Sequence, residues 1–136
     1  MKAWPIYPLI LAVILLSVPS YSQQGHANGA IPKYDPAAES VFKGTVEDVR
    51  DRVCGVSKGA LGSHVILKVG DGTLIEVHIA PSSFVKTYGV VFNKGDQLEV
   101  RGTKVRFEDV ETIFAREIKD GNDTLVFRDK EGRPIW

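Results

Sequence analysis

Gly70-Asp71-Gly72 constrains the fold of this chain more than any other feature, because it sits between two runs of alternating, β-branched residues, His64–Val69 and Thr73–Ile79. Glycines at both ends of a three-residue loop are a strong hairpin signal. A loop of that length sets Val65 opposite Val77, Leu67 opposite Ile75 and Val69 opposite Thr73, which makes one apolar face. His64, Ile66, Lys68, Leu74, Glu76 and His78 then fall on the other face. A two-residue loop would set Val65 against His78 and Leu67 against Glu76, mixing the faces. A slip of one residue carries every side chain across the sheet, so the first register is expected.

The same punctuation recurs from Val41 to the C-terminus. Val41–Val49 reads as a first strand, Arg50–Gly62 with its three glycines as a loop, and Pro81–Gly89 as a two-turn helix. Lys94-Gly95-Asp96 turns into Gln97–Val105, where Leu98 and Val100 point inward and Glu99 and Arg101 outward. Glu108-Asp109 closes a hairpin into Thr112–Ile118. Gly121-Asn122-Asp123 leads to a last strand, Thr124–Arg128, and Trp136 is expected to pack over the barrel mouth. Strand, hairpin, short helix and two more strands is the order of a five-stranded OB barrel with its helix between strands 3 and 4, here with an extra C-terminal strand. The domain is expected over residues 41–136, mainly β, with no repeat and no second domain.

The first 22 residues read differently. Lys2 precedes an apolar run from Leu9 to Leu16, and Ser20-Tyr21-Ser22 offers small residues at the positions a signal peptidase reads. A secretory signal over residues 1–22, cut before Gln23, is expected, with a periplasmic or secreted destination. The run is short for a permanent membrane anchor, and Gln23 rather than cysteine follows the cut, which argues against lipid anchoring. Residues 23–40, rich in Gln, Gly, Ala, Pro and Asn, read as a flexible leader. A cut one residue later would put His26 third from a free amine, a nitrogen arrangement suited to Cu²⁺ or Ni²⁺.

The chain carries 17 basic and 17 acidic residues, so there is no cationic excess to neutralise phosphates. Its basic residues are interleaved with acids and the hairpin's outer face has no aromatic, so nucleic acid is not expected as a partner. Cys54 is the only cysteine, so no disulfide can form within the chain. Neither a CxxC nor a CxxCH surrounds it. Ser63 and His64 are neighbours on one strand and point to opposite faces, which rules them out as a nucleophile–base pair. No phosphate loop or HExxH appears, and no enzymatic activity is expected.

The stretch from Phe42 to Trp136 resembles a group of small, exported bacterial OB-fold-like proteins that are largely uncharacterised. The pieces that carry the resemblance are Phe42-Lys43-Gly44-Thr45-Val46, Gly72–Ile79 running into Pro81, Lys94-Gly95-Asp96, Ala115-Arg116-Glu117-Ile118, and the ending Leu125–Asp129 with Gly132–Trp136. The layout is also similar, in strand order, to the periplasmic OB-fold stress-response proteins of bacteria. The resemblance implies an exported OB-type domain without an established activity, and it transfers no catalytic residue.

The leading expectation is therefore a non-enzymatic binding or interaction module of the cell envelope, its partner an envelope protein or small ligand. Ile66, Lys68 and Leu74 are its candidate contact face. The alternative is an extracytoplasmic metal-binding protein. The hairpin register sets His64 and His78 side by side, with Cβ atoms roughly 4.5–5.5 Å apart. Two imidazoles at that spacing suit a borderline ion such as Zn²⁺ or Cu²⁺, with Glu76 or Cys54 as further ligands. The competing reading places both histidines on a solvated sheet face. Oligonucleotide or oligosaccharide binding, by analogy of fold, is a third expectation.

Overall fold

The computed structural model describes residues 30–136. The expected signal segment, its cut before Gln23, and His26 lie outside the described residues. Six strands follow one another: β1 Glu39–Val53, β2 Leu61–Val69, β3 Leu74–Pro81, β4 Gln97–Phe107, β5 Val110–Asp120 and β6 Asp123–Val126, with one helix, α1 Ser82–Thr87, between β3 and β4. They form one sheet in the order β3-β2-β1-β4-β5-β6, and a parallel pairing of β3 with β5 closes it into a barrel. This is the OB-type arrangement read from the strand order, with β6 as the additional strand.

The β2–β3 hairpin keeps the register set by its loop, with Val65 opposite Val77, Leu67 opposite Ile75 and His64 opposite His78. Gly72 has a positive φ of 86°, which allows its N–H to reach Val69 O at 2.8 Å while Thr73 N–H bonds Asp71 Oδ1. At the β4–β5 turn, Glu108 and Asp109 both take left-handed backbone conformations, as a two-residue hairpin between right-twisted strands requires.

β1 departs from the sequence reading. It runs to Val53 rather than stopping at Val49, because Arg50–Val53 pair with Leu61–His64 of β2. The first half of β1 pairs with β4 and the second half with β2, and a bulge between Val46 and Asp48 bends the strand from one partner toward the other. What reads as a long loop shrinks to a tight turn over residues 54–60 that contains a short 3₁₀ segment, Gly55–Ser57.

Inside the barrel, Val46, Val65, Leu67, Val77, Val100, Ile113, Ala115 and Ile118 are fully buried, and Val85 of α1 with Phe92 plugs one end. Each larger aliphatic among them contributes roughly 1.5–3 kcal/mol by leaving water. Outside the barrel a second, smaller core gathers Tyr34, Cys54, Phe107 and Phe114. Tyr34 precedes a 3₁₀ turn, Pro36–Ala38, and its hydroxyl donates to Glu39 Oε2 at 2.7 Å. Trp136 packs against Phe84 of α1, with Arg128 stacked over its ring. No helix among the described residues is long and apolar enough to cross a membrane.

Candidate metal centre

Antiparallel pairing puts His64 of β2 directly opposite His78 of β3 on the face turned away from the barrel interior. That face is not solvated here. His64 is 1 % exposed and His78 4 %, because the second core lies over them. Parallel pairing with β5 places Phe114 beside His78, and Phe107 at the end of β4 completes the cover. The Phe107 and Phe114 rings lie 5.4 and 5.6 Å from the His78 ring. The reading of the two histidines as surface residues is therefore corrected: side chains from β4 and β5 cover what the hairpin alone would leave open.

Cys54 completes the cluster from a third direction. It follows β1, and the turn grips it through its backbone: its N–H donates to Ala60 O, and its carbonyl accepts from Ser57 and Gly59 N–H groups at 3.1 Å each. Lys58 and Gly59, both with positive φ, make that reversal possible. The thiol is 2 % exposed and its Sγ stands 3.4 Å from His78 Nδ1. His64 Nε2 stands 3.2 Å from the same nitrogen, with the two rings perpendicular. The three ligand-type atoms all lie within 4.8 Å of one another. Ligands around a tetrahedral ion at ordinary zinc distances are separated by about 3.3 Å for two nitrogens and about 3.5 Å for nitrogen and sulfur. The two spacings to His78 Nδ1 match those values.

Glu76 does not join the three. It is half-buried, and its Oε1 accepts from the far nitrogen of His78, Nε2, at 3.0 Å. The expectation of Glu76 as a direct ligand gives way to a positioning role, because its carboxylate is on the opposite side of the imidazole and is also bound by Arg52. A carboxylate on one ring nitrogen fixes the tautomer and leaves the other nitrogen's lone pair free, the arrangement found behind metal-bound histidines. Arg52 in turn reaches Glu108 Oε2 at 3.3 Å. Burial, with the nearby His64 as second cause, pushes His78 down to about 4, and burial with the Arg52 charge lowers His64. Both rings are therefore neutral near pH 7, the form that binds metal. Burial pushes the Glu76 carboxyl up, but the Arg52 hydrogen bond and charge outweigh it and hold the group below its ordinary value.

Of the contact face read from sequence, Lys68 and Leu74 pair across the hairpin and are exposed, whereas Ile66 is half-buried opposite Glu76. Sequence reasoning missed Arg52, Phe107, Phe114 and Tyr34. Arg52 was hidden by reading its segment as a loop. The aromatics carried only their alternation as a signal, Phe114 falling out of phase with the inward Ile113 and Ala115.

Residues 39–125 match the MamS/MamX magnetosome protein family. The chain belongs to that family. The match takes in all three residues of the cluster, together with Glu76 and Arg52, and ends before the Phe127–Trp136 segment. A comparison with curated proteins finds no match. Among solved structures, the dimeric N-terminal domain of PriB protein from Thermoanaerobacter tencongensis is similar, with a TM-score of 0.50 and 18% identity. The alignment covers 64% of this chain and 99% of that one. At that identity the likeness is one of fold, and it agrees with the OB-type barrel. The MamS/MamX family and the OB fold both fit a small binding or interaction module.

Proposed function

We propose that this chain is a non-enzymatic binding module whose ligand is a transition-metal ion held by Cys54, His64 and His78. The observation that carries the reading is the convergence of one sulfur and two imidazole nitrogens within 4.8 Å of one another in a buried, aromatic-walled recess. Each of the two imidazoles brings polar nitrogens into the core at a cost that coordination of an ion would offset. The carboxylate behind His78 supports the same reading, because it presents Nδ1 as a lone pair.

The signal-like first 22 residues support a setting outside the cytoplasm, and membership of a magnetosome protein family supports a role in association with that structure. The Cys54 thiol beside His78 Nδ1 is a nucleophile type next to a base, but both are buried, and it is this burial that favours binding over turnover as the function proposed.

The test is metal titration of the purified protein with Zn²⁺ and, under reducing conditions, Cu⁺, read by calorimetry and by thermal unfolding. One equivalent taken up, a raised Tm, and loss of both in His64→Ala/His78→Ala are expected. At a free ion concentration 100 times Kd the stabilisation is about 2.7 kcal/mol. A wild-type protein that takes up neither ion refutes the proposal.

A further inference from the structure

The proposed metal centre has two further properties that bear on which ion it holds, and this inference rests on the metal-binding reading. First, among the described residues the ligand set stops at three. Cys54, His64 and His78 form the group, and Glu76 is occupied by His78 Nε2 and Arg52. Ser57 Oγ, in the turn that carries Cys54, is a hydroxyl and a poor ligand for a soft ion. Zinc is almost always held by four ligands, so a site with three protein ligands must admit water as the fourth, and this one is buried beneath Phe107 and Phe114. Second, the charge inside the shell is a single negative one. Deprotonated Cys54 supplies it, the imidazoles are neutral, the Arg52 and Glu76 charges cancel each other in their ion pair, and the charge of Glu108, the second partner of Arg52, is exposed and screened by water. A divalent ion would leave one uncompensated positive charge in a dry recess, whereas a monovalent ion leaves none, and uncompensated buried charge is expensive.

We infer that the centre is a three-coordinate site selective for Cu⁺ over Zn²⁺. Thiolate and imidazole are suitable ligands for the soft monovalent ion, which is stable with three of them. On binding, the Cys54 S–H bond breaks as the S–Cu bond forms and one proton passes to solvent. The nitrogens of His64 and His78 donate existing lone pairs, and no electron is transferred.

The experiment is an anaerobic titration of the full chain with Cu⁺ against a chromogenic Cu⁺ chelator, a parallel Zn²⁺ titration, and copper-edge X-ray absorption on the loaded protein. The expected result is one Cu⁺ per chain, bound to one sulfur and two nitrogens, with one proton released and no displacement by a roughly hundredfold excess of Zn²⁺. Displacement by Zn²⁺, or a fourth ligand in the absorption spectrum, overturns the selectivity while leaving a metal site in place. Uptake of neither ion overturns the metal reading itself. Cys54→Ser should lose at least tenfold in Cu⁺ affinity. Because that variant risks misfolding, the sulfur ligand is also read directly in the wild-type spectrum, and its absence there overturns the proposal.

Discussion

Replacing Gly62 by alanine perturbs the centre without touching a ligand. The added methyl carbon would stand 2.7 Å from Ser57 Oγ, 3.0 Å from His64 Cε1 and 3.2 Å from Cys54 Cβ. Ordinary contact begins near 3.4 Å, so Ser57 Oγ must move by about 0.7 Å, the His64 ring by about 0.4 Å and Cys54 Cβ by about 0.2 Å. Gly62 lacks a positive φ, so the effect is steric and carries no backbone strain. Overpacking of this kind costs about 1–3 kcal/mol. For a domain of this size that lowers Tm by roughly 4–20 °C. Metal–ligand distances tolerate about 0.2 Å, so the His64 shift should also weaken ion binding, on the order of tenfold to a hundredfold. Gly70→Ala is the control, since a carbon added there meets nothing within 4 Å. Both variants would be followed by thermal circular dichroism and by chelator competition. Wild-type Tm and affinity in Gly62→Ala would refute the argued geometry. Equal losses in Gly70→Ala would show that the cost belongs to the hairpin and not to the centre.

Glu76→Gln should leave the fold intact and lower metal affinity by roughly 10–100-fold, measured by the same competition, because a neutral amide holds the His78 tautomer less firmly. Glu39 receives Arg116 Nε at 2.7 Å and Nη2 at 3.0 Å, and the Arg116 hydrogen bonds hold its carboxyl below the ordinary value of 4.5 against the opposing effect of burial. The stability it contributes is complete above that ordinary value and is lost as pH falls through the depressed one. Glu39→Gln should therefore cost about 1–2 kcal/mol at pH 7 and flatten the acid limb of a Tm–pH profile; an unchanged acid limb would refute the assignment. Phe127, 1 % exposed and packed against Phe84 and Tyr88, should cost roughly 3–5 kcal/mol when replaced by alanine, measured by urea denaturation.

How far the sequence reaches is clearest in the β2–β3 hairpin. The length of Gly70-Asp71-Gly72 and the two-residue period of its flanks are local properties, and together they determine that His64 lies opposite His78. The two-residue turn at Glu108-Asp109 and the inward set Leu98 and Val100 are legible for the same reason. β1 was only half legible. Arg50-Asp51-Arg52 has the composition of a loop, and only its ladder to Leu61–His64 makes it strand, a pairing decided by the partner. Hence Arg52 and the position of Cys54 stayed hidden.

The candidate centre divides along the same line. Sequence alone determined that two imidazoles share one face of a hairpin, because side-chain direction in a strand follows from counting. Tertiary structure alone decided that this face is dry, that Cys54 Sγ points at His78 Nδ1, and that Glu76 stands behind the ring. The dry face depends on Phe107 and Phe114, which lie against His78 from elements distant in the chain. Burial of an outer face is set by what the rest of the chain lays upon it, and periodicity within two strands carries no record of that cover.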